Sequence, residues 1–282
     1  YEILSGLVGS EMCIRDSCDS IDYMIQYLLI FLTIFSTSVF AMDMNHCEYT
    51  QDELGKKYPK MMHHDMNQSF DQLRTSIPSM QRMTNQQIMG MMKMMGPNYY
   101  WPVSDQGSVN NGVLIMAHGY GSGGDQDLFD STQSVGMIYQ TTLSMGMSMM
   151  TSSHVICSVY EMIHNDVEKI FVVPVSSTEH NTLVRQWNYI FGLEENYAYA
   201  EVEQINNEKI VMLNPISDDL YAKKIILEYT NEISSDPSNE VLIIIAHGPI
   251  DEVDNNIELD LCLLYTSPSP RDQRGSGFAW CG

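Results

Sequence analysis

A short, uninterrupted apolar segment limits the folds available to this chain more than any other feature. Val113–Ala117 reads Val-Leu-Ile-Met-Ala and is followed by His118-Gly119. A run with no alternating polar residue is typical of a strand buried on both faces, as in a parallel sheet covered by helices. The pattern recurs at Ile243–Ala246, which is followed by His247-Gly248. The chain is therefore predicted to contain at least two strands of the kind found in α/β proteins.

Strands and helices are predicted to alternate from Gly112 onward. Strands are predicted over residues 113–117, 170–175, 209–213 and 241–246, and helices over 127–150, 153–164, 180–191 and 217–233. Ser153 and Ser217 are candidate N-cap residues for two of these helices. This alternation predicts an α/β fold, with a mostly parallel sheet and helices on both faces.

The repeated strand-Ala-His-Gly pattern suggests two tandem α/β units. The first would occupy residues 112–239, and the second would begin at residue 240 and be cut off at residue 261. The alternative is one domain that contains two similar strands.

The segment before the first unit, residues 42–111, is predicted to be a helical leader. It contains twelve of the 22 methionines. Helices are predicted over residues 50–74 and 79–95, the second ended by Gly96-Pro97, and a loop over 98–111. Met61–Met66 places thioethers beside two imidazoles, which suits copper, although methionine also fills irregular gaps in helix packing.

Both ends resemble translated sequencing adapter. Met12–Asp16 corresponds to the codons ATG TGT ATA AGA GAC, and Cys262–Ser267 corresponds to the complementary strand, TGT CTC TTA TAC ACA TCT. We therefore expect residues 1–17 and 262–282 to be an adapter artefact that carries no evolved information. The natural protein is then expected to continue past Leu261.

Residues 24–41 are predicted to be a secretory signal peptide. An apolar stretch follows Met24, and Val39–Ala41 forms a small-x-small cleavage site. A membrane anchor is the alternative, although the stretch is short for a membrane span. The mature protein is expected to be periplasmic or secreted, with no stable membrane span after cleavage. Cys47 and Cys157 could pair in such a compartment, but their spacing leaves the question open.

The charge balance argues against one class of partner. The chain has 14 Lys+Arg against 36 Asp+Glu, a formal net charge of −22. A nucleic-acid-binding protein needs a basic surface for phosphates, so no nucleic-acid partner is expected.

Histidines follow the ends of three predicted strands. His118 and His247 come directly after their strands, and His180 comes six residues after Pro174. In parallel α/β sheets, ligands bind beyond the carboxyl ends of the strands. Neutral imidazoles there could hold one divalent cation, and the carboxylate of Glu179 could join them.

Two other kinds of site are less well supported by the sequence. The glycine-rich loop Gly119–Asp125 lacks the spacing of the known phosphate-binding motifs, which argues against nucleotide binding. A hydrolase using Ser122 or Ser177 is the third hypothesis for function, but the chain lacks the Gly-x-Ser-x-Gly nucleophile motif.

The strand-Ala-His-Gly start, the helices that follow it and the segment Val172–His180 together resemble the CbiX/CbiK class of tetrapyrrole chelatases, over roughly residues 112–261. The resemblance implies a sirohydrochlorin cobaltochelatase or ferrochelatase, a lyase that inserts Co²⁺, Fe²⁺ or Ni²⁺ into a tetrapyrrole. It implies that His118 and His180 bind the metal and assist its insertion. The family usually has Gly-x-His where this chain has Thr178-Glu179-His180.

A non-catalytic metal or tetrapyrrole carrier on the same fold is the alternative function. Export favours it, because these tetrapyrrole precursors are made in the cytoplasm. The acidic chain should also repel a polycarboxylate substrate unless a local cation such as Arg185 offsets that charge. His154 and His164 lie outside the motif and are predicted to be packing or surface residues.

Overall fold

A mixed sheet of seven strands forms the centre of the computed structural model, which describes residues 47–60, 65–104, 108–176, 178–215, 220–243 and 252–257. The spatial order of the strands is β1-β2-β3-β5-β4-β6-β7. Their bounds are β1 (Tyr49–Gln51), β2 (Lys57–Pro59), β3 (Tyr99–Ser104), β4 (Ser108–Ala117), β5 (Tyr139–Met145), β6 (Lys169–Pro174) and β7 (Ile210–Met212).

Helices occupy most of the connections between these strands. They are α1 (Met66–Ser76), α2 (Asn85–Met95), α3 (Gly121–Ser131), α4 (Gln133–Gly136), α5 (Ser153–His164), α6 (Thr182–Ile190) and α7 (Leu220–Ile233). A short 3₁₀ turn, Pro78–Met80, lies between α1 and α2. The predicted α/β class is therefore confirmed.

The sheet has a parallel half and an antiparallel half. Strands β5, β4, β6 and β7 are parallel, and Leu114 of β4 lies opposite Thr142 of β5 and Val172 of β6. The other half, β1-β2-β3-β5, is antiparallel throughout. In the parallel half, the predicted first and last residues lie within three residues of the observed ones for β6, β7, α5, α6 and α7. Ser217, the predicted N-cap of α7, lies outside the described residues.

Helices cover both faces of the parallel half, as predicted. Leu114 and Met116 of β4 belong to a core cluster with residues of α5 and α6. The alternate residues, Ile115 and Ala117, belong to a second cluster that packs against Phe129 of α3. This alternation follows from the two-residue period of a strand, and burial on both faces explains the absence of polar residues in the run.

Local signals fix both ends of α2. The helix predicted over residues 79–95 begins six residues later, at Asn85, because Thr84 and Gln87 form a capping box there. Gly96 ends the helix with a φ of +87°, a conformation that glycine adopts without strain. Helix α5 has the predicted bounds, but its N-cap residue is Ser152 and not Ser153.

The leader is not helical throughout, which corrects the prediction for residues 50–74 and 98–111. The first of these segments begins with β1 and β2, and α1 starts only at Met66. The second contains β3 and the start of β4. Strand β3 was not predicted because it lies among turn-forming residues. Its Pro102 is tolerated because the pairing of β3 with β2 extends only to Tyr100. Strands of the leader are thus hydrogen-bonded into the central sheet.

The predicted helix over residues 127–150 is also wrong in its second half. Helix α3 ends at Ser131, the single turn α4 follows, and residues 139–145 form β5. Thr141 and Thr142 are β-branched, and both are buried between β3 and β4. Pairing on both sides outweighs the helical preference of the methionines around this segment.

The predicted strand over residues 241–246 is not formed in its described part. Val241–Ile243 has no strand assignment, and its side chains are exposed. Residues 244–251, the adapter-like ends 1–17 and 262–282, and the predicted signal peptide 24–41 lie outside the described residues. None of the helices that the structure describes is long and apolar enough to cross a membrane.

Candidate functional site

The three central parallel strands end at one edge of the sheet. The N–H of Val175, just past β6, donates to the carbonyl oxygen of Met116 at 2.7 Å. The N–H of Gly146, just past β5, donates to the carbonyl oxygen of Ala117 at 2.8 Å. The segments that follow β4, β5 and β6 therefore leave the sheet side by side, at the edge where α/β proteins bind ligands.

His118 is exposed at this edge and lines a pocket. Its ring lies 4.6 Å, centroid to centroid, from that of Tyr120 in an edge-on contact. Gly119 and Gly121 have φ values of +95° and +78°, so the turn that carries His118 into α3 depends on glycine at both positions.

The pocket has a volume of about 440 Å³ and lies between α2, the start of α3 and the segment after β5. This volume is within the usual range for small-molecule sites. Its walls are rich in thioethers, contributed by Met66, Met89, Met92, Met94, Met95, Met145, Met147, Met149 and Met150. Met66 is the described member of the predicted Met61–Met66 copper cluster, and residues 61–64 lie outside the described part.

Two charged side chains line the same pocket. Asp125 of α3 is buried and accepts a hydrogen bond from the Tyr99 hydroxyl at 2.6 Å and another from the Tyr120 N–H at 2.6 Å. Burial and the Asp125 carboxylate raise the pKa of Tyr99, so its phenol remains a donor at neutral pH. The ammonium of Lys56 lies 4.8 Å from the ring centroid of Tyr99 and 4.5 Å from that of Trp101.

His180 and Glu179 lie past the end of β6 and contact each other. The distance from His180 Nε2 to Glu179 Oε1 is 3.4 Å. The His180 N–H donates to Thr178 Oγ1 at 3.0 Å, and Asn181 caps α6, so the loop has defined local geometry. Neither His180 nor Glu179 lines the methionine-rich pocket.

The structure thus joins His180 to Glu179 and places His118 at the end of the neighbouring strand. Within the described ranges, no group of three or more His, Cys, Asp or Glu residues is arranged to hold a metal ion. His247 lies outside those ranges. The sharing of one ion by His118 and His180 remains a prediction.

The two histidines outside the motif have the predicted structural roles. His164 is exposed at the end of α5. His154 is buried, and its Nε2 lies 3.2 Å from Ser148 Oγ. Burial disfavours the imidazolium and lowers the pKa of His154 to about 3.

A hydrolytic serine is not assembled by the described residues. Ser122 lines the pocket, but no histidine in the described part of the chain hydrogen-bonds to it, and Ser177 lies outside that part. Ser148 does pair with a histidine, but its relative exposure is 0% and it lies outside the lining of the pocket that contains His118. The pair is therefore a packing contact of the core.

Cys47 and Cys157, whose pairing the sequence left open, form a disulfide with a Cα–Cα distance of 5.6 Å. The bond ties the segment before β1 to α5.

No family model, no curated protein and no solved structure matches this chain.

The contribution of Lys56, Asp125 and the pocket methionines could not be recognised from sequence. These residues come from separate elements, which become neighbours only because β5 lies between β3 and β4.

Proposed function

We propose that the protein binds a tetrapyrrole at the carboxyl edge of its parallel strands and presents a divalent metal to it, in the manner of a tetrapyrrole chelatase. The observation that carries the proposal is the position of the two histidines. His118 directly follows β4 and lines the pocket, and His180 follows β6, the adjacent parallel strand. Both belong to the sequence pattern that resembles the chelatases.

The chemistry of insertion suits imidazole side chains. Insertion needs a ligand that delivers the cation and a base that removes the pyrrole N–H protons, and neutral histidine can perform both tasks. Co²⁺, Fe²⁺ and Ni²⁺ are the proposed metal substrates, since imidazole is a suitable ligand for such ions. The Glu179 carboxylate beside His180 could supply a further ligand.

Insertion of Co²⁺ into a tetrapyrrole, assayed by absorbance with the polycarboxylate sirohydrochlorin and separately with the dicarboxylate deuteroporphyrin IX, tests this function. Replacing His118 or His180 with Ala should lower the protein-dependent rate by roughly 10²-fold or more, the usual effect of losing a group that acts in proton transfer. His164→Ala is the matched control, because His164 is an exposed histidine at the opposite end of α5 from this edge. A wild-type rate equal to the rate without protein, for both tetrapyrroles, would refute the chelatase activity.

A non-catalytic carrier is the second candidate, and the Cys47–Cys157 disulfide favours it. Disulfides persist in exported proteins and are rare in the cytoplasm, so the bond supports the proposed periplasmic or secreted location. A carrier would bind tetrapyrrole and metal without raising the rate of insertion. Binding together with an unchanged insertion rate would thus identify the carrier.

A further inference from the structure

Two consecutive lysines have contrasting environments. The Lys57 ammonium contacts both carboxylate oxygens of Glu161, at 2.6 and 2.7 Å. Lys56 is more buried, with 7% relative exposure, and its ammonium contacts the rings of Tyr99 and Trp101. Among the residues that the structure describes, no carboxylate forms an ion pair with Lys56, and no acceptor forms a hydrogen bond with its Nζ.

The carboxylates around Lys56 are already engaged. Asp52, whose charge interacts with that of Lys56, accepts hydrogen bonds from the Tyr58 hydroxyl and from the N–H groups of Leu54 and Lys56. Asp125 accepts from the Tyr99 hydroxyl through Oδ2 and from the Tyr120 N–H through Oδ1. A buried cation is costly unless it is paired, and aromatic faces offset only part of that cost. Lys56 lines the pocket, so an anionic group of a ligand could contact its ammonium there. The described residues do not supply such a group.

The methionine walls indicate an apolar body for the same ligand. Methionine is flexible and normally fills gaps in a core. Here nine methionines surround about 440 Å³ that their side chains do not fill. A site of this kind, with apolar walls and few polar groups, is suited to a largely apolar molecule oriented by one charged contact.

The charge of the pocket limits how many carboxylates such a ligand can carry. Lys56 is the one Lys or Arg among the described lining residues. Arg185, the other candidate cation, is paired with Asp254 at 2.5 Å and lies outside that lining. With a net charge of −22 on the whole chain, an octacarboxylate would meet repulsion that one lysine cannot offset.

From these contacts we infer that the pocket selects a tetrapyrrole with few carboxylates, such as a dicarboxylic porphyrin, and that Lys56 binds one of its carboxylates. This inference rests on the proposed tetrapyrrole function and names its substrate class. Lys56 is then a specificity-determining residue.

Fluorescence titration of the full chain with three probes tests the inference. The probes are deuteroporphyrin IX, which is a dicarboxylate, its dimethyl ester and the octacarboxylate uroporphyrin. We expect the dicarboxylate to bind at least about tenfold more tightly than either of the others, and Lys56→Met to remove its advantage over the ester. Lys93→Met on α2 is the control, because Lys93 is exposed and loses the same charge.

The outcomes separate the two proposals. The inference would be overturned if the wild type bound dicarboxylate and ester equally, or bound uroporphyrin more tightly. Either result would leave the proposal of His118-dependent metal insertion unaffected. This comparison needs no variant, so it holds even if Lys56→Met does not fold, and Lys56→Arg should keep the preference. Porphyrin binding that depends on Lys56 without any metal insertion would support the pocket and overturn the chelatase. Failure of all three probes to bind would overturn both.

Discussion

The N–H of Val175 and the carbonyl oxygen of Met116 are joined by a 2.7 Å hydrogen bond, one residue past the end of β6 and one residue before the end of β4. This contact continues the parallel pairing to the edge of the sheet. It makes His118 and the loop that carries His180 leave neighbouring strands in the same direction. The proposed site depends on that relationship more than on any single side chain.

Tyr99→Phe should destabilise the fold at the pocket. The change removes the 2.6 Å hydrogen bond to Asp125 and leaves a buried carboxylate oxygen without its donor. Loss of a hydrogen bond to a buried charged group costs about 1.5–3 kcal/mol, which should appear as a lower urea midpoint. Tyr139→Phe, at the exposed start of β5, is the control and should change the midpoint little. Equal midpoints for Tyr99→Phe and wild type would show that Asp125 does not need this donor.

His154 should make the free energy of unfolding depend on pH. Its pKa is lowered by burial to about 3, while an unfolded chain returns it to about 6.5. Between these values the unfolded state binds the extra proton. The folded state should therefore lose stability as the pH falls below about 6.5, by at most about 1.4 kcal/mol per pH unit.

The variant His154→Gln isolates this contribution. It keeps a polar group near Ser148 and removes the titrating imidazole. Urea unfolding between pH 7 and pH 5, above the range in which most carboxylates titrate, should show a shallower pH dependence for the variant. Identical slopes would mean that His154 binds its proton over the same pH range in the folded and unfolded states.

The disulfide should contribute substantially to stability. Cys47 and Cys157 are 110 residues apart, and cross-linking a long loop restricts the unfolded chain. Removing such a bond typically costs roughly 2–5 kcal/mol, so reductant should lower the melting temperature. Cys47→Ala without reductant should melt like the reduced wild type. If reductant left the melting temperature unchanged, the cross-link would not stabilise the fold.

The elements that sequence predicted well are those whose signal is local. Strand β4 ends in the predicted apolar run, Val113–Ala117, although it begins five residues earlier, at Ser108. Helix α5 has a broad apolar face that is buried against the sheet. Helix α2 ends at Gly96, where a positive φ favours glycine. Each of these signals is contained within the element itself, so it needed no knowledge of the neighbouring strands.

Strands β3 and β5 could not be predicted because they are held by pairing with strands that are distant in sequence. Tyr99–Ser104 lies among turn-forming residues, and Tyr139–Met145 has three consecutive polar residues, Gln140–Thr142, and is followed by several methionines. They pair in antiparallel register, with Trp101 opposite Leu143, across more than forty residues of chain. Such long-range pairing leaves little local signal.

The candidate site divides in the same way. Positions such as His118 and His180 follow from strand ends, which sequence locates. The residues of the pocket wall could not be located in this way, because Lys56 and Asp125 are brought together by the order of the strands in the sheet. Arg185 was expected to offset acidic charge, but it pairs with Asp254 in the structure.

Locating bound Co²⁺ by anomalous scattering, in crystals of the full chain soaked with the metal, tests the central claim most directly. We expect one principal peak within coordination distance of the imidazoles of His118 and His180, and no such peak in the His118→Ala protein. A peak among the pocket methionines alone, or imidazoles too far apart to share an ion, would contradict the proposed metal site.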